Sequence, residues 1–512
     1  MVTTEIALGL TVATLVAFTA LGVWAARGRD RSAEAFITAR DSAGGGRLTA
    51  TLIASVMGVW ILLSAPEAGA TFGVAAVAGY AVGEALPMLA YSVIGPRVRA
   101  VIPDGHSLTE YAYARYGDAM YAFVLLVSVL YMFIFLAAEL TGIALALALV
   151  ADVPQWLTAV LVGGFVLAYT GYGGLRASIL TDTVQALLVL PLLVVAFAGA
   201  VFALGGAGAI YDGIAATDPS LLDPTDADGF RFGVAIALAI VGAELVNQTW
   251  WQRIYAGTDG ATVARSFRTA TVANGLIVLL AALFGVVAAG NAAVENPATA
   301  FFALLGEAFP SWVVLAVTLL ALLLVMSSVD SLFNALSSVV TADLPRLLDD
   351  PDDRTLTVGA RALTVGVAVA AVYVSQAAQS VLALFLFADL LGAAVAAPLV
   401  VGLFSDRLTG TGALASGLAG LAVGAAFFPF PLGIGGALRS VPVVGAALPA
   451  PDGLYLTSFV GAVAVSVAST LAFAALSDRR YDFDRLSNEI RRLDDPAPDG
   501  GRVDGDEGVN ES

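Results

Sequence analysis

An all-α polytopic membrane protein with about thirteen transmembrane helices is the fold class this sequence predicts, and three observations predict it. Of 512 residues, 59% are hydrophobic and only 13% charged, against about 25% charged in an ordinary soluble domain. Apolar runs of about 20 residues, the length that crosses a ~30 Å hydrocarbon core, recur from one end of the chain to the other. The basic residues gather in alternate loops, as they do when one side of a membrane retains positive charge.

The first apolar stretch, 5–26, reads as a retained span with its N-terminus outside. Met1 to Glu5 carries no positive charge, the stretch is too long for the apolar part of a cleaved leader, and Arg27, Arg29 and Arg31 follow it. Gly, Pro and charged residues bound the further spans near 48–73, 74–95, 119–149, 154–171, 180–204, 230–250, 270–290, 311–340, 358–378, 380–402, 411–428 and 456–476. The divisions at Gly73 and Gln379 rest on short glycine or polar breaks. With the N-terminus outside, the cytoplasmic loops hold Arg27–Arg47, Arg97–Arg115, Arg176, Arg253–Arg268, Arg346–Arg361, Arg407 and the arginines from Arg479 onward. Only Arg231 and Arg439 fall outside, leaving 22 of 24 on the inner side. The outer segment between Gly205 and Gly229 carries Asp212, Asp218, Asp223, Asp226 and Asp228 and no base. A C-terminal tail from Asp478, acidic and rich in Gly and Pro near its end, cannot bury enough apolar surface to fold alone and is expected to be solvated.

Composition also excludes functions. With no cysteine, disulfides and thiolate metal sites are ruled out, and a single histidine, His106, leaves no room for a His-based zinc or haem site. No stretch offers a soluble domain of useful size, which argues against an ATPase engine or a fused kinase. All 24 basic residues are arginine, and with 41 acidic residues the net charge is −17. That balance fits either a halophile, in which carboxylates keep a surface hydrated at high salt, or a GC-rich genome favouring arginine codons.

Three segments depart from plain membrane helix. Leu52 to Gly73 is apolar overall but holds Ser55, Gly58, Ser64, Pro66, Glu67 and Gly69. Proline and glycine in mid-span free backbone carbonyls, which within a bilayer must face protein, water or an ion. The segment is either a broken helix building an ion or substrate site at the midplane or a proline kink between packed helices. Leu320 to Leu344 carries a polar stripe of Ser327, Ser328, Ser331, Asn334, Ser337 and Ser338. Such residues commonly join membrane helices at about 0.6 kcal/mol each, and their oxygens are also what a hard cation requires. In the third segment, Ile240 to Ala256, Glu244, Asn247 and Gln248 interrupt a span ending in Trp250, Trp251 and Arg253, read here as interfacial anchors. Glu244, with Glu67, Glu84, Glu139 and Asp389, is an intramembrane acid, and such groups cost about 2.5–3.5 kcal/mol on insertion scales and mark function by default.

Read together, these segments resemble the sodium:solute symporter family, which includes sodium/proline and sodium/sugar carriers. The most specific match is Tyr169-Thr-Gly-Tyr-Gly-Gly-Leu-Arg-Ala177 followed by Thr181-Asp-Thr-Val-Gln185. Further matches are Ser107-Leu-Thr-Glu-Tyr with Arg115-Tyr-Gly117, Gln252-Arg253, and Met326-Ser-Ser with Thr341-Ala-Asp343, in an order and spacing that fit over about residues 35 to 410. The resemblance implies two five-helix units, inverted relative to one another. Here they would cover 48–204 and 230–402, after a first span and cytoplasmic loop (1–47) and before peripheral spans (403–477) and the tail (478–512).

The resemblance also implies a sodium site. Its carbonyls map to Ala54 and Met57 on the broken helix and to Leu324, with hydroxyls from Ser327 and Ser328. Val56 stands where the proline carriers have an aspartate. Asp182 matches an aspartate implicated in sodium exit, although an Asp at a helix start also caps free N–H groups. The substrate pocket matches less well: Val241, Leu245, Ile61 and Tyr80 replace residues typical of the proline or sugar carriers, while Trp60 agrees with a proline-carrier tryptophan. Trp60, Ser64, Glu67, Glu139, Glu244 and Gln248 are the substrate candidates, and the acids among them favour a cationic or amide-like solute.

The expected function is therefore a sodium-coupled symporter in the plasma membrane importing a small polar solute by alternating access. It would need Na+, the solute and the lipid bilayer, with no cofactor, no nucleic acid and no enzymatic step. A proton-coupled carrier and a transporter-like sensor are the rivals.

Overall fold

The computed structural model describes residues 3–26, 38–292, 294–347, 353–376, 380–429, 453–490 and 492. Among them helices alone are regular, and the one β-type pairing is an isolated bridge between Ala43 and Gly257. In chain order the helices are α1 (Thr4–Ala26), α2 (Gly45–Val56), α3 (Ser64–Val101), α4 (Leu108–Tyr116), α5 (Asp118–Ala151), α6 (Gln155–Ala203), α7 (Ala207–Thr217), α8 (Ala227–Glu244) and α9 (Gln248–Ala256). They continue as α10 (Gly260–Asn291), α11 (Ala300–Ala308), α12 (Ser311–Leu347), α13 (Asp353–Ser375), α14 (Val381–Phe404), α15 (Gly410–Phe427), α16 (Leu456–Leu476) and α17 (Asp484–Glu489).

Among the described residues eight helices are long and apolar enough to cross a bilayer, and ten if each of two sharply bent pairs is one span. Thirteen separate spans are not resolved. The stretches 48–73 and 74–95 meet within α3, which bends at Gly73 (φ 65°, ψ −163°), a left-handed conformation that only glycine adopts without strain. The stretches 154–171 and 180–204 run as the single helix α6. The divide near Gln379 lies outside the described residues.

The apolar surface faces two ways. Leu187, Val93, Phe202 and Leu476 are more than half exposed, which suits side chains that meet lipid. Inside, small residues let backbones touch. The most extensive helix contact is α3 on α10: a Cβ at Gly285 would strike the Pro66 carbonyl, and one at Gly69 the Ala282 carbonyl. Between α8 and α14 the fit is reciprocal, since a Cβ on Gly242 would strike Ala393 and one on Gly392 would strike Ala243.

Two breaks shape the centre. Helix α2 ends at Val56; Met57 and Gly58 are extended, a 3₁₀ turn spans Val59–Leu62, and α3 restarts at Ser64 with Pro66 and Glu67 in its first turn. Proline there gives up an N–H that has no helical partner anyway. This is a broken helix and not a kink. Helix α8 stops at Glu244, and α9 leaves at 54° to it, capped by Asn247, whose side chain accepts from Thr249 N–H at 2.9 Å.

That second bend corrects one expectation. Trp250, Trp251 and Arg253 are at most 2% exposed: the turn at 245–247 carries them into the protein and not to an interface. The tail needs a correction too. Leu486 and Ile490 are buried, Tyr481 donates to the Ala114 carbonyl at 2.9 Å, and the Arg115 guanidinium lies 4.2 Å from the Tyr481 ring centre. An aromatic pair, Tyr481 and Phe483, supplies what acidic composition alone lacked, so residues 481–490 dock against α4 and α3. The stretch from Pro496 to Ser512 lies outside the described residues.

Candidate functional site

At the end of α2 the chain brings the first break against α12. Ser327 Oγ donates to the Ala54 carbonyl at 3.2 Å and to Asp182 Oδ1 at 2.5 Å. Met57, the residue that ends α2, returns its N–H to the carbonyls of Ala54 and Ile53. Leu324 is buried one turn before Ser327, and Ser328 beside it turns toward the central cavity. Oxygens from two distant segments thus meet at one place, in the donor chemistry a hard alkali cation takes.

Behind them lies a buried charge network. Asp182 Oδ2 accepts from Thr51 (2.6 Å), Ser55 (3.2 Å) and Arg253 (3.3 Å). Arg253 also reaches Ser55 and Ser331, each at 2.8 Å. A second acid, Asp330, accepts from Tyr169 (2.8 Å), Ser178 (2.6 Å) and Thr181 (3.2 Å). Asp182, Asp330 and Arg253 are each fully buried. The cap reading of Asp182 is overturned: α6 runs through it without a break, and its carboxylate serves side chains of α2, α9 and α12 instead.

Above this network opens a central cavity, part of it continuous with solvent. Ser55, Ser328 and Ser331 form its side toward the network. Its walls are aromatic: Trp60 stacks on Tyr80 at 5.7 Å, and Phe385 sets its ring against Trp60 and Phe135 at 6.5 and 4.5 Å. Four acids line it, Glu84, Glu139, Glu244 and Asp389. Glu244 accepts from Tyr131 (3.0 Å), Asn247 (3.2 Å) and Trp250.

Of the substrate candidates, Trp60, Glu139 and Glu244 line this cavity. Ser64 lies outside its walls, in a hydrogen bond of 2.9 Å with the Tyr80 hydroxyl. Glu67 sits in a separate cleft with Ser380 and Tyr455, and Gln248 bonds the backbone of Leu108 and His106. Sequence reasoning missed Trp250 as a lining residue because it placed that side chain at an interface, passed over Thr249, and noted Asn247 as a polar interruption without counting it among the substrate candidates. It also passed over Asp330, an acid inside the polar stripe of α12 that the intramembrane-charge rule would have flagged.

A model of the sodium:solute symporter family matches residues 36–420. The spermidine transporter DUR31 of Candida albicans is 29% identical over 398 residues, 75% of this chain and 73% of that protein. The urea-proton symporter DUR3 of Oryza sativa subsp. japonica is 23% identical over 456 residues, 80% of this chain and 63% of that one. Three further curated relatives are matched over half of their own length or less. Among solved structures, a Na+-coupled sialic acid symporter in a substrate-bound outward-open state has the same fold, with a TM-score of 0.71, 17% identity, and coverage of 93% of this chain and 98% of that one. With three quarters of its length inside the family model, a matching transporter fold and helices able to cross a bilayer, this multi-pass chain belongs to the sodium:solute symporter family of membrane transporters.

Proposed function

We propose that the chain is a sodium-coupled symporter that imports a small polar organic solute by alternating access, with its N-terminus outside and its C-terminus in the cytoplasm. The observation that carries the reading is the Ser327 hydroxyl, held between the Ala54 carbonyl at the end of α2 and the Asp182 carboxylate. Carbonyls of Ala54, Met57 and Leu324 and hydroxyls of Ser327 and Ser328 form the sodium set. Charge favours a monovalent cation nearby. Asp182 and Asp330, when ionised, face a single buried Arg253, and one positive charge balances the remainder. Asp182 then lies on the exit route.

Sodium ties the broken helix to α12 and so organises the cavity beside it, where Trp60, Glu139 and Glu244 meet the solute. The opposite side is held shut by a clamp. Ala43 N–H donates to the Ala256 carbonyl (2.8 Å), and Arg99 donates to the carbonyls of Ile254, Tyr255 and Gly257 (3.0, 3.2 and 2.9 Å) and to Asp41 (2.8 Å). In the orientation set by the arginines this clamp is cytoplasmic, and solute entry precedes its release. Sodium entry supplies about 2.3 kcal/mol per charge per 100 mV. Each repeat unit contributes one break to the site, at Met57–Gly58 in 48–204 and at 245–247 in 230–402.

The test is uptake by purified protein in liposomes under an inward sodium gradient. Ser327→Ala with Ser328→Ala abolishes sodium-driven uptake while leaving the protein in the membrane; unchanged sodium dependence would remove the assignment. One observation favours a second coupling ion: Glu139 Oε1 is buried without a partner among the described residues, as a proton-carrying carboxyl would be, and the rice relative is a urea-proton symporter. Uptake driven by a pH gradient in sodium-free buffer selects that reading.

A further inference from the structure

We infer that the solute carries at least two positive charges along an apolar chain: the central cavity is built for an aliphatic diamine or polyamine. The inference rests on the reading of that cavity as the solute site, and it adds the chemical class.

Among the described residues the cavity is lined by acids and by no base. Glu84 on α3, Glu139 on α5, Glu244 on α8 and Asp389 on α14 all line it, each at most 8% exposed. No arginine is among the lining residues, and the chain has no lysine. Arg253 is committed to Asp182, Ser55 and Ser331 on the far side of the serines. Buried acids without a counter-charge are costly, and an anionic solute would raise that cost.

The acids form two separate poles. Glu84, Glu244 and Asp389 lie near one another on α3, α8 and α14, close about the Tyr131 hydroxyl, which donates to Glu244 at 3.0 Å. Glu139 stands at the break of the first core helix, where among the described residues its hydrogen-bond partner is the Val59 N–H, which donates to Oε2 at 2.9 Å. Its Oε1 has no partner among the described residues although the side chain is 1% exposed. Glu84 and Asp389 likewise receive no hydrogen bond among the described residues. Three carboxyls therefore present free acceptor oxygens, in two places.

Between the poles lie aromatic faces. Trp60 follows directly on Val59, beside the Glu139 pole, and stacks on Tyr80, which lies one helical turn before Glu84 on α3 and lines the cavity with it. Phe385 and Phe135 complete that wall. Aromatic faces cover methylene groups and attract ammonium ions. A monoamine satisfies one pole; urea or another neutral amide satisfies the hydrogen bonds but neutralises neither. A diamine does both.

Equilibrium binding of radiolabelled spermidine to the purified protein in detergent tests the inference apart from coupling, and liposome uptake of spermidine, putrescine, n-butylamine and urea under a sodium gradient tests both readings together. Spermidine and putrescine bind, compete with one another and are taken up, and n-butylamine binds at least tenfold more weakly. Asp389→Asn, which loses no hydrogen bond, and Glu139→Gln, which keeps an acceptor for Val59, each weaken diamine binding about tenfold or more, with thermal unfolding of each protein reporting that it is folded. Sodium-driven uptake of urea with no diamine binding would overturn the diamine inference and leave symport standing. Diamine binding with no response to sodium would retain the inference and remove sodium coupling. Equal affinity for n-butylamine and putrescine would overturn the two-pole arrangement, as would folded variants with unaltered diamine affinity.

Discussion

Glu139 closes the break in the first core helix: its Oε2 accepts the Val59 N–H at 2.9 Å, and a Cβ added to Gly58 would collide with its Oε1. The carboxyl from α5 thus takes the place of the helical acceptor that Val59 lost when α2 stopped at Val56. The same side chain borders the cavity, so the geometry of the break and the electrostatics of the solute site are set together.

Gly58→Ala pushes Glu139 away from Val59. Overpacking of this kind costs about 1–3 kcal/mol, and the expected outcome is a lower melting temperature with uptake nearly lost. Pairing it with Glu139→Ala, which removes the colliding carboxylate, recovers part of the thermal stability and none of the uptake. A melting temperature equal to that of the parent protein in Gly58→Ala would contradict the contact.

Asp182 and Arg253 are a fully buried ion pair at 3.3 Å. Breaking such a pair by removing one partner costs about 3–5 kcal/mol, because a buried charge is left alone. Asp182→Asn and Arg253→Gln are each expected to destabilise strongly, and the double variant by less than their sum. A thermal double-mutant cycle reads a coupling of about 0.5–3 kcal/mol; strict additivity would mean that the two charges act independently.

The Arg99 clamp gives a conformational prediction. Arg99→Ala removes four hydrogen bonds to Ile254, Tyr255, Gly257 and Asp41 and shifts the population toward opening on that side. Because the chain contains no cysteine, a single engineered Ser331→Cys reports access without background labelling. Labelling from the side that carries the Arg99 clamp is expected to rise several-fold in Arg99→Ala, and an unaltered rate would show that the clamp does not limit opening.

Tyr481 ties the tail to α4 through the Ala114 carbonyl and the Arg115 guanidinium. Tyr481→Ala should cost about 1–2 kcal/mol from one hydrogen bond and one cation–π contact. Limited proteolysis between Ser477 and Glu489 is expected to quicken while liposome uptake holds. Protection equal to that of the parent chain would mean that Phe483 and Leu486 suffice to dock the tail.

Much of the site was legible in individual residues. Pro66 and Gly58 announced broken backbone, and Ser327 and Ser328 announced oxygen donors. The α2 break and its meeting with α12 are where those residues led. Ser64, Glu67 and Gln248 misled for a common reason: a polar residue in an apolar run signals that it has a partner, not which partner. Each found one within the protein, in Tyr80, in Ser380 and in the backbone of Leu108 and His106.

Hydropathy and the spacing of arginines determined by themselves that this chain is a helical membrane protein, because the bilayer sets the length of an apolar run and positive charge resists crossing it. Motif residues determined the family. Tertiary structure alone decided that Glu84, Glu139, Glu244 and Asp389 surround one cavity and that Trp250 faces inward. Those acids lie on four helices spread over 306 residues of chain. Their meeting depends on the 54° bend after Glu244 and on the backbone contacts at Gly242 and Gly392, which no local pattern of polarity encodes.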